Sequence, residues 1–80
     1  MDIVIYSRQG ELESEVMHDY LKTLGLDASV RHVDNGDAAA RRAWEDLDGE
    51  VTPLTVIDST RIVRGFDRAR VDQLVGWIGC

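Results

Sequence analysis

Eighty residues, 44% hydrophobic and 30% charged, make one globular domain near the lower limit of what a single core stabilises. A net charge of −6 and a pI near 4.6 argue against nucleic-acid and anionic-membrane partners, and no segment reaches the roughly 20 apolar residues of a membrane span. One cysteine, Cys80, excludes an internal disulfide, so the cytoplasm is the expected location.

The run Ile3-Val4-Ile5-Tyr6 is continuously β-branched and aromatic, the pattern of a strand covered on both faces. The stretch Met1-Asp2-Ile3-Val4-Ile5-Tyr6 lacks a basic region and a small-residue cleavage site, so a signal peptide is not expected. Ser7-Arg8-Gln9-Gly10 reads as a short connection. From Glu11 the spacing becomes helical, with Leu12, Val16, Tyr20 and Leu24 as a stripe widened by Met17 and Leu21. Glu11, Glu13 and Glu15 favour the positive end of that helix, and Gly25 is a natural residue just past its end. Ala28 to Val33 alternates weakly and predicts a second strand. Asp34-Asn35-Gly36-Asp37 offers several N-caps to a second helix that runs to about Leu47. Its apolar face is Ala40, Ala43, Trp44 and Leu47.

Asp48-Gly49-Glu50 breaks that helix ahead of Val51-Thr52-Pro53 and a strand from Leu54 to Ile57. Pro53 is the chain's one proline, and proline is confined to strand starts, edges and bulges because it cannot donate to the ladder. The sequence leaves the isomer of the Thr52–Pro53 bond open. Arg61 to Arg64 predicts a hairpin partner strand after the turn Asp58-Ser59-Thr60. Gly65-Phe66-Asp67 opens a last helix, with Asp67 as N-cap, Phe66 and Val71 spaced as a hydrophobic staple, and Val71, Leu74, Val75 and Ile78 as its apolar face. The order β-α-β-α-β-β-α predicts an α/β domain: a four-stranded mixed sheet with three helices, the first two strands parallel and the last two a hairpin.

The opening Ile-Val-Ile-Tyr-Ser-Arg, the Val51-Thr52-Pro53 before a strand and the Gly65-Phe66-Asp67 before the last helix resemble, in order and spacing, the glutaredoxins, especially the short NrdH-redoxin branch. The resemblance covers nearly the whole chain and implies the thioredoxin-like, glutaredoxin-type fold with a cis proline facing the start of the first helix. In that family the helix begins with Cys-x-x-Cys, whose first thiol is activated by helix-end amides. In the family's register these two positions fall on Glu11 and Ser14, and no cysteine precedes Cys80. Neither residue performs disulfide exchange. Arg8 matches a basic residue before the motif, the residue at Thr52 offers its backbone to glutathione or a substrate, and the turn at Gly65 receives a glutathione carboxylate in the family.

The reading that follows is a binding module lacking the redox-active cysteine pair. Arg8, Thr52, Pro53, Gly65, Phe66 and Asp67 would take an extended peptide, a protein partner or a small thiol compound, with no resident cofactor and glutathione as the small molecule the resemblance admits. The alternative is a thiol-disulfide oxidoreductase or thiol transferase in redox homeostasis, acting through Cys80 or a partner's cysteine. A helix C-terminus disfavours the thiolate at Cys80. A third reading is a structural subunit docking through an apolar patch. His18, His32 and Cys80 lack zinc-ligand spacing, and neither a Ser-His-Asp arrangement nor a phosphate loop stands out. Trp44 and Trp77 read as packing residues.

Overall fold

Alternation along the first strand divides the core into two layers. In the computed structural model, which describes residues 1–34 and 36–76, β1 spans Ile3–Ser7. It is followed by α1 (Leu12–Thr23), β2 (Ser29–His32), α2 (Ala38–Asp46), β3 (Leu54–Ile57), β4 (Arg61–Arg64) and α3 (Arg68–Gly76). Ile3 and Ile5 join Ile57 and Val63 against Met17 and Leu21 of α1 and Val71 of α3. Tyr6 joins Leu54 and Val56 on the other face, against Ala40 and Trp44 of α2. Each of these large side chains contributes about 1.5–3 kcal/mol by leaving water.

The sheet order is β2-β1-β3-β4. β1 pairs parallel with β2 from Val4↔Ser29 to Ser7↔His32 and antiparallel with β3 from Ile3↔Ile57 to Tyr6↔Leu54. β3 and β4 form the antiparallel hairpin. The mixed four-stranded sheet with three helices is the predicted architecture. All four residues of β3 are buried, and Thr55 Oγ1 is enclosed there without a hydrogen-bond partner.

One expectation changes. The buried residues of α1 are Ser14, Met17 and Leu21, whereas Leu12, Val16 and Leu24 are exposed, Leu12 by 73%. Steps of four residues drift about 40° around a helix of 3.6 residues per turn. The run Leu12-Val16-Tyr20-Leu24 therefore winds across the surface, and only Tyr20 reaches the core. The helix ends as its glycine predicted: Leu26 N–H donates to Leu21 C=O at 3.0 Å and Gly25 N–H to Lys22 C=O at 2.9 Å. Among the α2 caps, Asp37 prevails, its carboxylate accepting from Ala40 N–H at 3.0 Å. Asp67 caps α3 through Arg70 N–H at 3.0 Å, and Phe66 and Val71 share one core cluster. Asn35, Trp77, Ile78, Gly79 and Cys80 lie outside the described residues. No helix among the described residues is long and apolar enough to cross a membrane.

Candidate functional site

The start of α1 and the entry to β3 meet at one carboxylate. Glu11 stands in the N-cap position with extended backbone (φ −78°, ψ 121°), and its side chain does not cap the helix. Instead Oε1 accepts from Ser14 Oγ at 2.6 Å and Oε2 accepts from Thr52 Oγ1 at 2.7 Å. Both distances are those of charge-assisted O–H···O⁻ bonds. Ser14, three residues along, faces inward and is 4% exposed, while Glu11 and Thr52 are partly buried. The second bond joins residues 41 positions apart in sequence.

A glycine and a tryptophan set the position of Thr52. Gly49 lies so close beneath Trp44 that a Cβ would sit 2.5 Å from the indole ring, and Gly49 N–H donates to Trp44 C=O at 2.9 Å. The indole Nε1–H reaches on to Val51 C=O at 3.0 Å. The chain is thereby turned back over α2 before Thr52 and the cis-bonded, buried Pro53. Neither the N–H nor the C=O of Thr52 makes a hydrogen bond among the described residues. Pro53 C=O accepts from Gly65 N–H at 2.8 Å, with Gly65 at φ +71°, a conformation that favours glycine. Phe66 follows, partly buried, its ring edge-on to Tyr20 at 6.1 Å.

The structure thus brings Glu11, Ser14 and Thr52 together directly and seats Pro53, Gly65 and Phe66 alongside. Asp67 is exposed and acts as a helix cap. Arg8 is exposed in the β1–α1 connection; its carbonyl accepts from Glu11 N–H at 3.2 Å. Cys80 is outside the described residues. The sequence reading did not include Trp44, Gly49 and Val51 in the site; the signal was a glycine in the helix-breaking loop beside an apolar-face tryptophan. Nor did it anticipate a role for the Thr52 hydroxyl, since only the backbone had been implicated there. Among the described residues no group of three or more His, Cys, Asp or Glu side chains is placed to hold a metal ion.

Chemically, the arrangement supplies a fixed carboxylate, an unpaired backbone donor and acceptor at Thr52, and an apolar flank from Phe66 and the 42%-exposed Val51. It holds no thiol among the described residues. No protein-family model and no curated protein matches the chain, but solved structures do. A mutant of the thioredoxin-like protein BC3987 is 31% identical with a TM-score of 0.80, over 92% of this chain and 99% of that one. The glutaredoxin from Methanosarcina mazei Go1 is 19% identical with a TM-score of 0.81, over 94% and 78%. The glutaredoxin-like protein NrdH-redoxin from Escherichia coli is 22% identical with a TM-score of 0.77, over 92% and 95%. The last two share the fold at low identity.

Proposed function

We propose that this chain, which belongs to the thioredoxin-like proteins and shares its fold with glutaredoxins and NrdH-redoxin, is a member that binds without redox chemistry. In this reading Glu11 and Ser14 occupy the positions of the family's cysteine pair. The groove along Thr52, Pro53 and Gly65-Phe66-Asp67 takes an extended segment of a peptide or protein in the cytoplasm.

The observation that carries the reading is the double hydrogen bond of Glu11. A carboxylate that accepts from both Ser14 and Thr52 is a structural brace across the site, and it leaves the Thr52 backbone unpaired. An extended segment laid beside Thr52 would satisfy that N–H and C=O by strand addition, with main-chain bonds supplying affinity. The exposed Val51 and the partly buried Phe66 would add apolar contact. Glutathione is a second ligand of the groove, with Arg8 and the Gly65 turn for its carboxylates. The charge of Glu11 opposes it, because like charges a few ångströms apart repel strongly outside bulk water.

NMR titration of the chain tests both ligands. A short capped peptide rich in Val and Thr is expected to shift the amides of Thr52, Gly65 and Phe66. Glutathione is expected to bind weakly to the wild-type chain and roughly tenfold more tightly to Glu11→Gln, a gain of about 1.4 kcal/mol. Shifts confined to residues remote from Thr52 and Gly65 would remove the proposal.

A further inference from the structure

Helix α1 turns a second set of polar groups toward the sheet edge. Glu11 and Glu15, like Ser14 and His18, are four residues apart, and Glu11–Ser14 and Glu15–His18 are three apart, so the four share one face. Along β2, alternation places Val30 and His32 on one side of the sheet, while Arg31 goes to the other, 3.7 Å from the Asp37 carboxylate and over the Tyr6 ring. Between α1 and β2 lies a cleft of about 80 Å³, lined also by Arg8.

Within it, the carboxylate of Glu11 and the hydroxyl of Ser14 are already bonded to each other and to Thr52. The side chains of Arg8, Glu15, His18 and His32 make no hydrogen bond or ion pair among the described residues. Free polar capacity therefore consists of a guanidinium, a carboxylate and two imidazoles. We propose that this cleft binds an α-amino-acid head group, its ammonium toward Glu15 and its carboxylate toward Arg8.

Size and sign select that ligand. A cleft of about 80 Å³ has room for a small polar head group, and anything longer must extend into solvent. A lone anion would meet Glu11 and Glu15, and a lone cation, although drawn by those carboxylates, would leave Arg8 without a partner. A group carrying both charges satisfies both walls. Each imidazole can donate or accept to the same head group. β2 is the outer strand of the sheet, so a side chain or peptide extension can leave toward solvent. Free amino acids and γ-glutamyl termini share this head group. The cleft lies on the β2 side of the start of α1 and is distinct from the peptide groove beside Thr52, although Glu11 and Ser14 border both and Arg8 is shared with the glutathione reading of that groove.

The test is an NMR titration of the full chain with glycine, acetate, methylammonium and γ-glutamylglycine. Glycine is expected to shift the amides of Gly10, Glu15, Val30 and His32 with a Kd of about 1–10 mM, the range that ligand efficiency gives for so few atoms. Acetate and methylammonium should each bind roughly tenfold more weakly. Arg8→Gln and Glu15→Gln should each weaken glycine binding about tenfold on an otherwise native spectrum. Tighter binding of γ-glutamylglycine than of glycine assigns the γ-glutamyl source, and weaker binding assigns free amino acids. Absence of shifts at about 50 mM glycine, well above a millimolar Kd, overturns the proposal, as does acetate binding as tightly as glycine. Glycine shifts confined to Thr52, Gly65 and Phe66 would eliminate this cleft while leaving the peptide groove standing.

Discussion

Glu11 carries more of the site than any other side chain, because one carboxylate satisfies two hydroxyls on different elements. Removing it leaves the Ser14 hydroxyl buried without its acceptor and frees Thr52 from α1. Urea unfolding of Glu11→Ala is expected to show a loss of about 1–3 kcal/mol, the usual consequence of orphaning a partner of a charged group. In a double-mutant cycle, Glu11→Ala and Thr52→Val should couple by about 0.5–1.5 kcal/mol. Additive effects would mean that the bond between them adds nothing. The sequence pointed to Glu11, Ser14 and Thr52 separately, through motif register, but not to their bonds. A contact across 41 residues depends on where β3 enters the sheet, and that is set by Trp44 and Gly49, which have no place in the motif.

At the scale of elements, boundaries were the most readable feature. β3 and β4 run over Leu54–Ile57 and Arg61–Arg64, as the β-branched runs between turn residues indicated. Asp37, Asp67 and Gly25 each punctuate a helix through the bond their side-chain or backbone chemistry favours. The inward face of α1 was misread because Leu12, Val16 and Leu24 are apolar yet exposed, and Ser14 is polar yet buried. Ser14 can be buried because its hydroxyl donates to the Glu11 carboxylate; a hydrophobicity pattern does not register such a pair. The corrected face has a measurable consequence. Leu21→Ala, at a position 0% exposed, is expected to cost about 2–5 kcal/mol, and Leu12→Ala less than about 0.5 kcal/mol. Equal losses in thermal or urea unfolding would restore the original stripe.

For the whole molecule, a crossover unit, a second helix and a tight hairpin were sufficient for a mixed four-stranded sheet covered by helices; the order β2-β1-β3-β4, with α2 on one face and α1 and α3 on the other, is what the structure adds. Function was less legible, because the same scaffold serves reaction or binding according to the side chains at the start of α1. With Glu11 and Ser14 there and Cys80 the single thiol, the proposed groove binds and does not exchange disulfides. The most direct test is the rate of glutathione-dependent hydroxyethyl-disulfide reduction by the wild-type chain and by Glu11→Cys/Ser14→Cys. Wild type is expected to give no turnover above the uncatalysed rate, and the doubly substituted chain to gain turnover, because a thiol at that helix start is activated by the amides and dipole. Wild-type turnover that disappears in Cys80→Ser, or a natively folded double variant that stays inert, would contradict it.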